Sequence, residues 1–288
     1  MDPARVPLVD KPAAAGPAGA FDADTHARRA ASFGAAAAAY ARYRPDYPAA
    51  AIAWALDPVI RTSGHPIRIA DLGAGTGKLT AQLASLQLDS GRPTVVAVEP
   101  DPQMLAELRS SLPQVASMAG SAEAIPLPDT SVDVVLAGQA AHWFDLDRAM
   151  PEIARVLTPG GVFAGLWNVD DDRVDWVAGL HQITGRGNQI SFTSTVTDDE
   201  DGLSAWLRGP GSELYRPPEA SGFEHGLRRT ASSVIENMRT QSMFLIMEST
   251  ERETVLDAVA AYLAATPQTA AGEFTFPMWT LAQRTVLR

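Results

Sequence analysis

The sequence predicts an α/β protein built on a Rossmann-like, mostly parallel sheet with helices on both faces. Two observations carry this prediction. Apolar segments of strand length alternate with amphipathic helical segments over roughly a hundred residues, which is the pattern of a wound parallel sheet. A glycine-rich loop also follows the first of these strands, where such sheets bind their ligands. The length of 288 residues suits one large domain with appended segments, or two smaller domains.

The first part of the chain is predicted to be helical. Residues 27–43 are rich in alanine, which has the highest helix propensity. Pro45 and Pro48 must end this helix, since each proline restricts the residue before it. Pro48 can also open a second helix that runs to about Leu56, because the first helical position needs no amide donor.

Strands and helices then alternate up to residue 168. The strands are almost entirely apolar, as expected where both faces of a sheet are covered, and the helices show apolar residues at helical spacing. Strands are predicted at 67–72, 94–99, 115–119, 132–137 and 162–166, helices at 78–88, 101–111 and 147–157, and a turn at 159–161.

Beyond residue 168 the pattern is less regular. Strands are predicted at 223–229 and 274–286, the second interrupted at Pro277, and helices at 232–248 and 251–265. The predicted organisation is a disordered leader (1–24), an N-terminal helical lid (25–60), a Rossmann-like ligand-binding core (61–168), an irregular substrate-side segment (169–221), and C-terminal helices with the last two strands (222–288).

Composition and charge argue against several classes of function. The chain holds no cysteine, so disulfides and thiolate metal sites are excluded. A formal net charge of -11 argues against nucleic acid as a partner, since such binding neutralises phosphates with lysine and arginine. No window has the roughly 20 apolar residues that span a bilayer, and residues 1–20 lack the apolar stretch of a signal peptide. We therefore expect a cytoplasmic protein without membrane segments.

Three ligand classes use glycine-rich loops after a strand. A phosphate loop needs G-x-x-x-x-G-K-[ST], but Leu72 stands at the first glycine and Leu79 at the Ser/Thr position. A dinucleotide fingerprint needs G-x-G-x-x-G, and counted from Gly73 its third glycine would be Lys78. The remaining pattern is D-x-G-x-G-x-G, with Asp71 at the end of the strand. A carboxylate in that position suits a ligand with an ammonium group and no diphosphate.

The alternative is a glycine-rich turn that binds no ligand, and three further strand ends argue against it. Glu99 closes the second strand, where a carboxylate can accept both hydroxyls of a ribose. The third strand is followed by Gly120 and Ser121, and the fourth ends in Gly138 and Gln139. Because ligands of open α/β sheets bind at the carboxyl ends of the strands, this coincidence predicts a ligand site.

Taken together, these motifs resemble those of the class I S-adenosylmethionine (SAM)-dependent methyltransferases. The matching segments are residues 71–77 as the first motif, 96–100 as the second, 120–126 as the adenine-side segment and 157–161 as the turn before strand five. Residues 40–48 and 141–145 are similar to the branch that includes trans-aconitate methyltransferase. The resemblance implies a seven-stranded sheet with an antiparallel last strand, N-terminal helices and a cap over the active site.

The resemblance also implies which residues contact SAM. Asp71 would hold the amino group, Glu99 the ribose diol, and Gln139 would lie near the methionyl part. Tyr43 and Arg44 would close over the site, with Arg44 either near the cofactor carboxylate or in a surface salt bridge. Ser121 departs from the family, where an aspartate is common. The remaining implied contacts are the loop residues Gly73, Ala74, Gly75, Thr76 and Gly77, and the adenine-side residues Pro100, Met104, Ser121, Ala122 and Glu123.

The acceptor side is predicted around the end of the fourth strand. His142 would lie close to the sulfonium, where it acts either as the catalytic base or only as part of the pocket wall. Tyr47, Trp143 and Arg239 are also expected on that side, although a helix-surface arginine is the commoner case. No metal is expected, because the acidic run 170–172 has no partner carboxylate at the end of strand four and is predicted to be solvated.

The sequence thus predicts an enzyme that uses SAM and releases S-adenosylhomocysteine. Its acceptor would be a small molecule, with O-methylation of a carboxylate or hydroxyl favoured. Two alternatives stay open: a SAM-binding regulatory or interaction protein without methyl transfer, and an NAD-dependent oxidoreductase. The protein is expected to be a monomer or a homodimer, and the identity of its acceptor is not predicted.

Overall fold

The computed structural model describes residues 37–185 and 211–288. The predicted leader (1–24) lies outside the described residues, as does part of the segment expected to be irregular. The helices are α1 (Ala37–Tyr43), α2 (Ala49–Ile60), α3 (Lys78–Ala84), α4 (Pro102–Ser111), α5 (Leu146–Val156), α6 (Asp175–Ile183), α7 (Ala231–Arg239), α8 (Ser242–Ile246) and α9 (Ser249–Ala265). The strands are β1 (Arg68–Leu72), β2 (Thr94–Glu99), β3 (Ala116–Ala119), β4 (Val132–Gly138), β5 (Leu157–Asp170), β6 (Glu219–Thr230) and β7 (Glu273–Val286).

Within the described residues, seven strands form one sheet in the order β3-β2-β1-β4-β5-β7-β6. The pairs β1–β2, β1–β4, β2–β3 and β4–β5 are parallel. In contrast, β7 runs antiparallel to β5. The Leu287 amide donates to the Gly161 carbonyl at one end, and the Asp171 amide donates to the Pro277 carbonyl at the other. The predicted Rossmann-like sheet, mostly parallel with an antiparallel last strand, is therefore confirmed.

The strand order reverses between β1 and β4. The chain first runs outward from β1 to β2 and β3, and it then returns to the other side of β1. Parallel sheets open a crevice at such a reversal, outside the carboxyl ends of the strands, and ligands bind there. Leu72 and Gly138 end these two strands, and the register pairs Asp71 with Leu136. The polar and glycine-rich strand ends found in the sequence thus meet at one edge.

The described residues divide into two compact units, each assembled from several chain segments. The sheet unit contains residues 45–168, 211–223 and 280–288, and the helical unit contains residues 37–44, 169–185 and 224–279. Each unit has its own buried apolar core, and a fully buried aliphatic side chain stabilises a fold by roughly 1.5–3 kcal/mol. The sheet unit buries Ile52, Leu56, Ile69, Leu83, Val134 and Leu136, among others. The helical unit buries Trp176, Leu180, Met238, Phe244, Leu256 and Leu263, among others.

Two elements between residues 157 and 185 differ from the prediction. The turn expected at 159–161 lies inside β5, where a register shift opposite Val132 and Val134 accommodates the positive φ of Gly160. Helix α6 forms where no regular structure was expected. Trp176 and Leu180 are buried four residues apart on this helix, a spacing that would have indicated it.

Two further differences lie nearer the C-terminus. The helix expected at 232–248 is split into α7 and α8, because the chain turns at Thr240, whose hydroxyl donates to the Asn237 carbonyl. Pro277 does not interrupt β7. In a hydrogen-bonded pair of an antiparallel ladder, a residue exchanges both of its backbone hydrogen bonds with the residue opposite it. The residue opposite Pro277 is Asp171, which lies just beyond the end of β5. The hydrogen bond that Pro277 cannot donate is therefore missing just beyond the end of β5.

Candidate functional site

The loop from Gly73 to Gly77 connects β1 to α3 and requires glycine for reasons of backbone and packing. Gly73, Gly75 and Gly77 have φ angles of 68°, 57° and 89°, a region that residues with a Cβ rarely adopt. A Cβ on Gly73 would lie 2.6 Å from the Cβ of Ala140, and one on Gly77 would lie 2.9 Å from Leu112. The loop is therefore held closely between the segment after β4 and the end of α4.

Several amides of this loop already have acceptors within the sheet unit. The amides of Gly73 and Ala74 donate to the Val98 carbonyl at 2.9 and 3.1 Å. The Gly75 amide donates to the Glu99 carboxylate at 2.7 Å. A loop that cradles phosphates instead directs such amides at its ligand. The hydrogen bonding of the loop thus agrees with the sequence pattern, which does not fit a phosphate loop.

Asp71 lies one residue before the end of β1 and is fully buried. Its Oδ2 accepts a hydrogen bond from the hydroxyl of Thr80 on α3 at 2.5 Å, whereas its Oδ1 has no hydrogen-bond partner among the described residues. Burial raises the pKa of Asp71 to about 7, the Thr80 bond opposes that rise, and the nearby Glu99 adds to it. An unpaired buried carboxylate oxygen is costly, so Oδ1 suits a ligand that brings a donor or a positive charge.

Glu99 ends β2 and is held by two backbone amides. Its Oε2 accepts from Gly75 at 2.7 Å and its Oε1 from Asp101 at 2.8 Å, and only 6% of the residue is exposed. Burial raises the pKa of Glu99, and the two amide hydrogen bonds oppose that rise. Since a carboxylate oxygen has two lone pairs, each oxygen keeps one to offer a diol. Thr76, in the loop, adds a second buried oxygen without a partner among the described residues.

The adenine-side residues follow β2 and β3, which are neighbours in the sheet. The Asp101 carboxylate caps α4 by accepting from the Met104 amide at 2.9 Å, and Met104 is buried. Glu123 accepts from the Asp145 amide at 2.9 Å, which ties this segment to the start of α5. Ala122 is buried, Ser121 and Glu123 are half-buried, and Pro100 is exposed.

Asn168 connects three segments at the carboxyl edge of the sheet, a role that the sequence analysis did not foresee. Its side chain donates to the Asp46 carbonyl at 3.1 Å and accepts from the Thr280 hydroxyl at 2.5 Å. Its own carbonyl accepts from the side chain of Gln139 at 2.7 Å. Gln139 has a φ of 54°, an uncommon value for a residue with a Cβ. The predicted methionyl-side residue is therefore fixed by contacts to β5.

Tyr47 was predicted on the acceptor side, and it lies in the core of the sheet unit with 6% exposure. The side chain of Gln82 bonds both its amide, at 2.9 Å, and its carbonyl, at 2.7 Å. The Tyr47 hydroxyl lies over Gly138, where an added Cβ would fall 2.6 Å from it. The tyrosine therefore packs directly on the last residue of β4.

His142 lies in a 3₁₀ turn (Ala141–Trp143) that follows β4, and it is exposed. Its Nδ1 is 3.2 Å from Nε1 of Trp167 on β5, and its ring centroid is 4.8 Å from that of Trp143. The same segment reaches the glycine loop, since a Cβ on Gly73 would lie 3.6 Å from the Phe144 ring. The sheet unit thus brings His142 and Trp143 to the edge that holds the glycine loop.

Tyr43 and Arg44 belong to the helical unit and are bonded within it. Arg44 donates to the hydroxyl and to the carbonyl of Thr240, each at 3.0 Å, and its guanidinium carbon lies 4.8 Å from the centre of the Tyr40 ring. The Tyr43 carbonyl accepts from Arg229 at 2.6 Å. These bonds join the end of α1 to α7 and β6. A role for Tyr43 and Arg44 in covering the ligand stays a prediction.

Two other charged groups considered in the sequence also have partners in the helical unit. Arg239 makes a bidentate pair with Glu253, with both N···O distances at 2.6 Å, which favours the surface alternative over substrate recognition. The acidic run was expected to be solvated, but Asp171 is only 3% exposed. It accepts from Arg173 at 2.8 Å and from the Trp279 indole at 3.1 Å, so that expectation was wrong at Asp171.

The described part of the chain offers no candidate for a metal site or for a membrane-spanning helix. Over residues 37–185 and 211–288, no three histidine, aspartate or glutamate side chains cluster so that they could hold a metal ion. Over the same residues, no helix has the length and apolar character needed to cross a bilayer. The candidate site is the carboxyl edge of β1, β2 and β4, where Asp71, Glu99 and Gln139 lie.

This chain is similar in sequence and in fold to several methyltransferases. Residues 70–165 match a family described as "Methyltransferase domain". An uncharacterized methyltransferase of Mycobacterium tuberculosis is 52% identical over 155 residues, which cover 54% of this chain and 59% of that protein. A malonyl-[acyl-carrier protein] O-methyltransferase of Methylococcus capsulatus is 42% identical over 105 residues, which cover 34% of this chain and 36% of that enzyme. A solved structure of a putative type II methyltransferase from Anaeromyxobacter dehalogenans has a TM-score of 0.60 and 27% identity, covering 85% of this chain and 98% of the other.

Proposed function

We propose that this chain, whose residues 70–165 match a methyltransferase domain, is a class I SAM-dependent methyltransferase and moves the methyl group of SAM onto a small-molecule acceptor. S-adenosylhomocysteine is the second product of this reaction. Within the proposal, we favour O-methylation, and a carboxylate is the preferred acceptor group. The similar enzyme of Methylococcus capsulatus supports this preference, because its name specifies O-methylation of a malonyl group.

The observation that carries the proposal is the orphaned Oδ1 of Asp71. This oxygen is fully buried and lacks a partner in the described part of the chain, while Thr80 holds the other oxygen of the same carboxylate. An ammonium group satisfies such an oxygen with both a hydrogen bond and a charge. The α-amino group of SAM is of this kind. NAD instead brings a diphosphate, and the amides of Gly73, Ala74 and Gly75 are already bonded to protein acceptors.

The other residues at this edge would bind and orient the reactants. Glu99 would accept the two ribose hydroxyls, because its carboxylate is fixed by backbone amides and keeps a lone pair on each oxygen. Gln139, anchored on Asn168, would border the methionyl part. When bound, SAM supplies a methyl group that its sulfonium activates for in-line displacement. Much of the rate can then come from proximity and orientation, which His142 and Trp143 would impose on the acceptor.

Calorimetry and product analysis test this proposal on the full chain. We expect S-adenosylhomocysteine to bind, NAD not to bind, and D71N to weaken binding by about tenfold or more, the loss of one charge-assisted contact. The matched control is D57N, because Asp57 lies on α2 and pairs with Arg61. Incubation with SAM and a panel of small acids, alcohols and amines should release S-adenosylhomocysteine and a methyl ester.

The alternatives give different results in the same experiments. S-adenosylhomocysteine binding without turnover of any panel member would favour a regulatory SAM-binding protein. NAD binding in the absence of S-adenosylhomocysteine binding would favour an oxidoreductase. Equal affinities for the D71N and D57N variants would remove the role proposed for the Asp71 carboxylate.

A further inference from the structure

The ring of His142 has a defined hydrogen-bonding direction. Nε1 of Trp167 lies 3.2 Å from Nδ1 of His142, and an indole N–H group can only donate. Nδ1 therefore accepts. In a neutral imidazole one nitrogen accepts and the other carries the proton, so this contact assigns the proton of His142 to Nε2.

Trp167 is well placed to impose this arrangement. It lies on β5, it is 1% exposed, and its ring fills the space beside Gly165, where any Cβ would overlap it. A ring packed in this way cannot turn its N–H aside at low cost. The tautomer of His142 is therefore set by a buried neighbour, as metal-bound and catalytic histidines are oriented by the partner of their second nitrogen.

The place of His142 in the fold connects this tautomer to the candidate site. The 3₁₀ turn that carries His142 lies between Ala140 and Phe144, and added atoms at Gly73 would touch both of these residues. The imidazole thus extends from a segment that packs on the glycine loop. In the proposed function, this segment borders the acceptor side of the methyl donor.

We propose that His142 is a hydrogen-bond donor that positions a carboxylate acceptor, and that it is not the catalytic base. The proposal deepens the proposed function and rests on it. A base needs a lone pair directed at the acceptor, whereas Nε2 of His142 carries a hydrogen. Protonation of Nδ1 would set an N–H group against the indole N–H of Trp167, so the contact also opposes the doubly protonated ring.

A carboxylate matches a site with a donor and no base. One carboxylate oxygen uses a lone pair to form the bond to the methyl carbon, the carbon–sulfur bond breaks, and its electron pair stays on sulfur. No proton moves in this step. The second oxygen is left to accept from Nε2–H, which holds the acceptor in line with the bond that breaks. A hydroxyl acceptor would have to lose a proton, and His142 in this tautomer cannot take it.

Nitrogen NMR of the histidine-labelled full chain tests the tautomer without any turnover. At about pH 8, where ordinary imidazoles are neutral, we expect the His142 signals to show a proton on Nε2. The H142Q variant identifies these signals among those of the five histidines. In W167F, which keeps the aromatic packing and removes the donor, both tautomers should appear. A proton on Nδ1 in the wild type overturns the proposal, and this spectrum suffices even if W167F does not fold.

Titration of the S-adenosylhomocysteine complex tests the acceptor class. Malonate should shift the Nε2 resonance of His142, and 1,3-propanediol at the same millimolar concentration should not. No shift with malonate, or equal shifts with both probes, overturns the carboxylate assignment. These failures are distinguishable from failure of the proposed function, because loss of that function appears as absent S-adenosylhomocysteine binding in calorimetry. The tautomer itself is measured on the protein alone.

Discussion

The hydroxyl of Thr80 donates to Oδ2 of Asp71 across 2.5 Å, and neither residue is exposed to solvent. The bond joins the first turn of α3 to the end of β1, across the glycine loop that connects them. It satisfies one oxygen of the carboxylate and fixes its orientation. The remaining oxygen, which has no partner among the described residues, is therefore held in a defined direction, as a specific cation site requires.

Replacing Thr80 with valine should weaken both the fold and the site. Valine preserves the shape of threonine but removes the donor, and this leaves Oδ2 of Asp71 buried without its partner. We expect the free energy of unfolding, measured with urea, to fall by about 1–3 kcal/mol. Calorimetry should show S-adenosylhomocysteine binding weakened by about tenfold, because the carboxylate is no longer held in one orientation.

The matched control for T80V is T285V. Thr285 is 2% exposed, and its hydroxyl donates to the Arg216 carbonyl at 2.7 Å on another part of the sheet unit. T285V should also lose stability, but its affinity for S-adenosylhomocysteine should equal that of the wild type. If both variants lose affinity equally, the Thr80 bond matters only for stability.

The raised pKa of Asp71 predicts a pH dependence of stability. Its folded value of about 7 lies above its ordinary value of 3.8 because the carboxyl is buried. The folded state therefore holds the proton more tightly. The resulting stabilisation is complete below about pH 4 and is lost as the pH rises through about 7. Between these limits, the free energy of unfolding should fall by about 1.4 kcal/mol per pH unit through this group.

The D71N variant isolates this contribution. The pKa of Glu99 is also raised by burial and contributes with the same sign, but it titrates in both proteins. Urea unfolding between about pH 5 and pH 8 should therefore give a smaller slope against pH for D71N than for the wild type. S-adenosylhomocysteine affinity should rise with pH through about 7 only in the wild type, because the ammonium group prefers the ionised carboxylate. Identical slopes would contradict the buried titration of Asp71.

The parts of the molecule that local patterns encode were predicted from the sequence. The strand predicted at 94–99 is confirmed as β2, because a run of four apolar residues between polar ends is readable without knowledge of its neighbours. The positions of Asp71 and Glu99 near the carboxyl ends of two parallel strands also followed, and these strands are neighbours in the sheet. Periodicity and topology together therefore located the candidate site.

The partners of the site residues could not be predicted in this way. Thr80 is nine positions from Asp71, and only the packing of α3 on the sheet brings the two together. Asn168 bonds Thr280 and Gln139, which are far from it in the sequence. The buried Trp167 decides the direction of His142, although nothing in the local sequence relates the two rings. Such bonds depend on tertiary contacts, which a single sequence does not specify.

Ligand affinity and stability should both fall when one of the two carboxylate oxygens of Glu99 is replaced. In the wild type, the backbone amides of Gly75 and Asp101 donate to the Glu99 carboxylate. In E99Q, the side-chain amide group would face one of these two backbone amides, so that two donors would oppose each other. We expect S-adenosylhomocysteine affinity to fall by about tenfold or more and the free energy of unfolding to fall by about 1–3 kcal/mol. The control is D101N, since asparagine caps a helix as well as aspartate does. An E99Q protein with unchanged affinity would contradict the proposed ribose contact.

Gly73 should tolerate alanine far less than Gly160, although both have positive φ angles, of 68° and 76°. An L-residue in this region costs roughly 1–2 kcal/mol at either position. At Gly160 an added Cβ meets nothing within 4 Å, whereas at Gly73 it would lie 2.6 Å from the Cβ of Ala140. Urea unfolding should therefore show that G160A lowers the free energy of unfolding by about this backbone cost and that G73A lowers it considerably more. Because relief of the clash must move the loop away from the end of β4, G73A should also lose S-adenosylhomocysteine affinity, and G160A should keep it. Equal stabilities for the two variants would mean that the loop is not held against Ala140.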